Sequence, residues 1–189
     1  MIFALALAAA TPSFDCAKAT SAVEKMICDY ESLAIADAAV SSLYKQIRRT
    51  RPFASDQRDW LADRDTCKNR YCLQSTYEDR IGSLMLIIPS VKDYHSGRYG
   101  VLRIVSLGKD TYAFWIQNLW VGGAPGQVNT AGASGAFQLL DDRGERSPLA
   151  SFDSGWRLIK LPKGGWRVAC LPDETQCGGI NATIDGVYR

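Results

Sequence analysis

Pro89-Ser90-Val91-Lys92-Asp93-Tyr94-His95-Ser96-Gly97 is the stretch on which the fold turns, because the hydrophobic period differs on its two sides. Upstream the period is helical. Ser21-Ala22-Val23-Glu24 matches a capping box and opens a short helix toward Cys28. Leu33, Val40, Leu43, Tyr44 and Ile47 then recur at helix spacing, with Arg48-Arg49 in the last turn, where cations suit the helix dipole. Thr50-Arg51-Pro52 breaks that helix, and Ser55 is placed to cap a third one. There Gln57, Trp60, Leu61 and Arg64 fall at i, i+3, i+4, i+7 and share one face. After a short Cys67–Cys72 turn, a last helix carries Tyr77, Ile81, Leu84, Met85 and Ile88 and stops at Pro89.

Downstream the period is two. Arg98–Leu107, Thr111–Val121, Ala136–Leu140, Trp156–Leu161 and Gly165–Leu171 read as strands. Pro162-Lys163-Gly164-Gly165 reads as a hairpin turn, and Gly122-Gly123 and Gly132–Gly135 as loops. In the second strand Tyr112, Phe114 and Ile116 share one face, while Ala113, Trp115 and Gln117 share the other. The expected class is therefore α+β: a small disulfide-linked helical bundle over 13–89, a linker over 90–97, and an antiparallel β-sandwich or small barrel over 98–189.

Six cysteines (Cys16, Cys28, Cys67, Cys72, Cys170 and Cys177) form an even set that suits a disulfide framework in an exported chain. A four-thiolate zinc site from the first four is the rival reading, but their spacing lacks the usual C-x2-C knuckles. Met1–Ala10 is apolar and ends in small residues, so residues 1–12 look like a secretory signal without its positive start. Either the true translation start lies upstream of Met1, or the segment is a remnant of such a signal. Cys16 follows Ser13-Phe14-Asp15, which does not suit lipidation, and no stretch is long and apolar enough to span a bilayer. The expected location is periplasmic or secreted.

Composition excludes several chemistries. A net charge of +2, spread evenly, gives no footprint for nucleic acid. With His95 as the single histidine, two-His metal sites and metalloprotease helices are ruled out, and no metal or other cofactor is expected. A nucleophilic triad lacks its base, since His95 lies in the expected linker. Asp59 with Asp63, or Asp141 with Asp142, offer paired carboxylates of the sort glycoside hydrolysis uses. Asp59 and Asp63 interleave with Arg58 and Arg64, however, a pattern that surface ion pairing explains better. The chain reads as a binder without catalytic residues. Gly122-Gly123-Ala124-Pro125-Gly126 lacks a phosphate-loop lysine and reads as a recognition loop on a rigid scaffold. Gln127, Asn129 and Ser134, with Trp115 on the more polar strand face, are the candidate partner-binding residues.

Phe14-Asp15-Cys16, Glu24-Lys25-Met26-Ile27-Cys28, Leu33-Ala34-Ile35-Ala36-Asp37, Tyr44 and Gln57-Arg58-Asp59-Trp60-Leu61-Ala62-Asp63-Arg64-Asp65-Thr66-Cys67 occur in order, followed by Cys72, Tyr77, Arg80-Ile81 and Leu84. Together they resemble the LprI-type lysozyme-inhibitor domain of bacterial exported proteins, over residues 13–88. Asn129–Ala133, Cys170…Cys177-Gly178 and Asp185-Gly186-Val187-Tyr188 look like a β-domain that often follows such helices. The resemblance implies inhibition of a lysozyme-like muramidase by binding, without chemistry, and supplies no inhibitory residue set. An immunity protein or envelope module for another cell-wall-active partner is the alternative. Gln57, Trp60, Leu61, Arg64 and Asp65 read as scaffold, because Trp60 and Leu61 must pack on neighbouring helices and such burial is worth roughly 2–3 kcal/mol. Because eight helical residues span about 12 Å, Cys16 and Cys28 should not pair with each other. Two bridges are expected between that segment and the Cys67/Cys72 turn, with Cys170–Cys177 closing the last loop.

Overall fold

The computed structural model describes residues 11–48, 54–89, 91–108, 110–122, 124, 126–139, 149–152, 156–170, 177 and 182–189. The apolar segment 1–10, the Thr50-Arg51-Pro52 break and Asp141-Asp142 lie outside these. After a 3-10 turn at Cys16–Lys18 come α1 (Ala22–Asp29), α2 (Glu31–Ile47), α3 (Ala54–Asp65) and α4 (Arg70–Ile87). The strands are β1 (Lys92–Ser96), β2 (Gly100–Gly108), β3 (Thr111–Val121), β4 (Val128–Gln138), β5 (Leu149–Phe152), β6 (Trp156–Lys160), β7 (Trp166–Cys170) and β8 (Gly186–Tyr188). The class is α+β. No helix among the described residues is long and apolar enough to cross a membrane.

Local chemistry sets the helix ends. Ser21 accepts from the Glu24 amide, and the Glu24 carboxylate accepts in return from the Ser21 amide, so the capping box forms. Asn69 caps α4 by accepting from the Cys72 amide. Ser55 does not cap α3, which already begins at Ala54. The periodicity is otherwise obeyed: Gln57, Trp60, Leu61 and Arg64 are the partly buried positions of α3, and Tyr77, Ile81, Leu84 and Met85 are buried on α4.

The strands form two antiparallel meanders, β1-β2-β3-β4 and β5-β6-β7-β8. Their alternation builds three layers. Tyr112, Phe114 and Ile116 of β3 face the second sheet and share a core with Trp156, Leu158, Trp166, Val168 and Tyr188. Tyr112 stacks on Phe137 at 5.5 Å between centroids, and Trp156 meets Phe114 edge-on at 5.5 Å. The opposite face of the first sheet, with Val105, Ala113, Trp115 and Ala136, joins the helical core of Ile27, Leu43, Leu73, Tyr77 and Met85. The first sheet is thus buried on both sides, which is why β3 reads as nearly continuous apolar sequence.

Helices and sheet approach closely at one point. A Cβ on Gly82 of α4 would lie 2.9 Å from Ser134 Oγ and 3.5 Å from Trp115. The Ser134 hydroxyl donates to the Glu78 carbonyl at 2.7 Å. Nearby, Arg103 of β2 donates to the Met85 carbonyl at 3.2 Å at the end of α4 and pairs with Asp93 of β1 at 3.0 Å. A cation there suits the negative end of the helix dipole.

Three further expectations are corrected. Residues 92–96, read as linker, form β1, in register with β2 from Lys92↔Ile104 to Ser96↔Gly100. Tyr94 alternates with exposed His95, a period too short to stand out in sequence. His95 also exchanges backbone hydrogen bonds with Arg189 beside β8, so this strand links the two sheets. Gly132–Gly135, read as a loop, lies within β4, because small residues let α4 and Phe114 come close. The helical disulfides are Cys16–Cys28 and Cys67–Cys72, with Cα separations of 5.9 and 5.5 Å. Residues 17–21 run back beside α1, so the helix rise is retraced rather than added, and each bridge is local. Cys170–Cys177 forms as expected.

Candidate functional site

The residues that carry the resemblance converge on a buried polar cluster. Asp37 is surrounded on α2 by Leu33, Ala34, Ala39 and Val40, all buried, and is itself only 5% exposed. Its carboxylate accepts from the Tyr77 hydroxyl at 2.8 Å and from the Ser13 amide at 2.6 Å. Arg64 of α3 lies 3.8 Å from Asp37, donates to Tyr77 at 3.4 Å, and is held by Asp65 at 2.7 Å. Burial pushes the Tyr77 phenol well above its usual range, and the Asp37 charge adds to this while Arg64 opposes it. Tyr77 therefore stays protonated and serves as a hydrogen-bond donor.

Trp60 completes the arrangement. It meets Tyr77 edge-on at 5.5 Å, donates its indole N–H toward the Thr76 carbonyl at 3.4 Å, and has the guanidinium groups of Arg64 (5.7 Å) and Arg80 (5.6 Å) over its ring. Arg80 donates to Gln57 and pairs with Asp56, both at 2.7 Å. Apart from the Arg64–Asp65 pair within α3, the short contacts here run from one helix to another or to the N-terminal segment. Gln57, Trp60 and Arg64 carry these contacts from α3 to α4 and α2, Asp65 holds Arg64 within α3, and Leu61 is half-buried on the same face. Asp37 and Arg80 stand in the sequence only as members of the resembling motif set with no role assigned, although an acid on the apolar face of α2 was a visible signal.

The partner-binding candidates divide. Trp115 is half-buried at the junction of helices and sheet, 6.0 Å from Arg103, and Ser134 is bonded to α4. Both are internal, because the face that holds them is covered by helices. Gln127 is exposed and Asn129 half-buried on the β3–β4 hairpin. β2 pairs with β3 no further than Val101↔Gln117, so Asn118–Val121 pair with Val128–Ala131 alone. This makes a two-stranded arm. At its base Asn118 donates to the Thr183 carbonyl at 2.7 Å and Trp120 packs on the inter-sheet core. At its tip the cross-strand pair Val121↔Val128 is 49% and 52% exposed, closed by a Gly122 amide to Gln127 carbonyl bond of 2.8 Å. The valines gave no motif in sequence, since a strand's outward residues are told apart only by where its neighbour ends.

Asp59 and Asp63 are both exposed on α3, and His95 is an exposed strand residue.

Among curated proteins the chain is similar to "Lipoprotein LprI" of Mycobacterium bovis (strain ATCC BAA-935 / AF2122/97) and of Mycobacterium tuberculosis (strain ATCC 25618 / H37Rv). Each is 30% identical over 85 residues, which cover 41% of this chain and 43% of the relative. The chain thus matches less than half the length of these relatives. No known family profile matches it, and no solved structure does. The similarity supports an LprI-like relationship over part of the chain, and three disulfides with a lipoprotein relative are consistent with export.

Proposed function

We propose that this protein is a periplasmic or secreted inhibitor of a lysozyme-like muramidase, acting by occupation of the enzyme's sugar cleft and catalysing nothing itself. The LprI-like similarity supports the class of partner. The β3–β4 arm is the observation that carries the mode of action: it is narrow, anchored at its base by Asn118 and Trp120, and tipped by two exposed valines. A preorganised arm avoids most of the ordering cost of association. Val121 and Val128 supply apolar contact inside the cleft, and the Gln127 amide can donate to catalytic carboxylates. With a net charge of +2 the protein gains little long-range steering toward a basic enzyme, so inhibition should depend only weakly on salt.

Lysis of bacterial cells, followed by turbidity with several muramidases, tests the reading. Inhibition at micromolar protein is expected, with Val128→Asp weakening it at least about tenfold while leaving the unfolding temperature unchanged. Absence of inhibition for every enzyme tried would sink the proposal. Inhibition that Val128→Asp leaves intact would move the docking surface elsewhere.

A further inference from the structure

The far end of the helical layer carries a feature that neither the scaffold cluster nor the arm uses. Between α1 and the start of α4 lies an open cleft of about 610 Å³, lined by Lys25, Asp29, Tyr30, Asn69, Arg70 and Tyr71 among others. Tyr71 is 67% exposed and Tyr30 40%, large values for aromatic side chains. Both rings lie against one guanidinium: Arg70 is 4.6 Å from the Tyr71 centroid and 5.6 Å from that of Tyr30, and it donates to the Tyr71 hydroxyl at 3.0 Å. Arg stacked on aromatic faces is held in place. The cleft is also braced by both helical disulfides, since Cys28 adjoins Asp29 and Cys72 adjoins Tyr71.

We infer that this cleft binds a carbohydrate chain bearing carboxylate groups. Three properties of the lining select that class. The exposed tyrosine rings offer negative π faces on which the C–H face of a pyranose can lie. The Asp29 carboxylate accepts from sugar hydroxyls, which an acidic peptide without hydroxyls does not offer. Lys25 and Arg70 give the cleft a net positive balance that suits a carboxylate on the same sugar chain. Such a site is separate from the arm, so one molecule can hold a glycan and engage a glycan-cleaving enzyme at once.

Binding to the full chain is measured by calorimetry and by NMR of tyrosine ring signals. Three probes are used: a neutral β-1,4-linked N-acetylglucosamine tetramer, the same backbone carrying lactyl carboxylates, and a poly-glutamate peptide. The carboxylated glycan should bind at least about tenfold more tightly than the neutral one and shift the Tyr30 and Tyr71 signals. Tyr71→Ala should weaken that binding at least about tenfold with an unchanged unfolding curve, and Tyr71→Trp should preserve it. Failure of the carboxylated glycan to bind at millimolar concentration overturns the inference. So does binding that both Tyr71 variants leave untouched, or preference for poly-glutamate. Muramidase inhibition in the Tyr71→Ala protein should remain intact, which keeps a failure here distinct from a failure of the inhibitor reading.

Discussion

The α3–α4 face and the β3–β4 arm differ in how they use their residues. On α3 the polar groups of Gln57 and Arg64 turn inward and find partners on Arg80, Asp37 and Tyr77, while Asp65 holds Arg64 from the surface. On the arm the chain leaves its sheet neighbour behind and turns Val121 and Val128 outward. The densest motif of the sequence therefore marks contacts within the molecule, and a plain pair of valines marks where the proposed reading has it meet a partner. The scaffold has reason to be chemically specific, because a buried charge needs particular partners at particular distances. An arm needs only to project and to stay rigid.

The sharpest way to break this contrast is to remove the sheet from beneath the helices. Residues 11–89 alone lose the cover that Val105, Ala113, Trp115 and Ala136 give to Leu43, Tyr77 and Met85. They are expected to keep helical circular dichroism but to bind a hydrophobic dye and unfold without a sharp transition. A cooperative transition in that fragment would show that the helical layer is self-sufficient and the three-layer core incidental.

Asp37→Ala comes next. It leaves the Ser13 amide and the Tyr77 hydroxyl without their acceptor and the Arg64 charge with Asp65 as its nearby counter-ion. Loss of about 3–5 kcal/mol in urea-denaturation stability is expected, as for breaking a buried pair. Asp37→Asn, which keeps an acceptor, should cost about 1–2 kcal/mol. A loss below about 1 kcal/mol for the alanine variant would mean the cluster is ornamental.

Most of the helical layer was legible because its period is long and its caps are chemical: Ser21-x-x-Glu24 and the Gln57, Trp60, Leu61, Arg64 face are where the pattern places them. The disulfides were not, since a chain reversal as brief as residues 17–21 leaves no periodic trace yet decides which sulfurs meet. β1 was hidden for a related reason. Five residues of mixed polarity on an edge, Lys92–Ser96, show too few alternations to separate strand from loop. The layer order was hidden more deeply. Glycines at 132 and 135 looked like loop because sequence does not say whether a small residue marks a turn or a strand position that a neighbour approaches, as Ile116 and Phe114 do there and α4 does at Ser134.

That close approach yields a smaller and more pointed prediction. Gly82→Ala removes a helix-interior glycine, which alone would stabilise α4 by about 1 kcal/mol. Here the new methyl would meet Ser134 Oγ at 2.9 Å and Cβ at 3.3 Å, and that hydroxyl is committed to the Glu78 carbonyl. Net destabilisation of about 1–2 kcal/mol is expected. In a Ser134→Gly background the obstruction is gone, and the same change should become neutral or stabilising. A double-mutant cycle measures this directly, and additive effects would contradict the contact.

The smallest effects are electrostatic, and they oppose each other in sign at two glutamates. Glu78 has its pKa raised by burial, with Asp79 adding to this and the Gln74 hydrogen bond opposing it. A carboxyl whose pKa is higher folded than unfolded contributes stability below the unfolded value and loses it as pH rises through the folded one. Glu78→Gln should therefore raise the unfolding temperature at neutral pH, by about one degree once solvent screening is allowed for, with the gain vanishing below pH 4.5. Glu24 has its pKa lowered by the Ser21 and Thr20 amides it accepts from. Its contribution is present at neutral pH and lost as pH falls through the folded value, so Glu24→Gln should lower the neutral unfolding temperature and the loss should likewise fade in acid. Thermal scans of both variants from pH 3 to 7 would test the pair. Shifts of the same sign would mean that Glu78 is solvated as freely as a surface residue, and that α4 does not lie against the sheet at Ser134 as described.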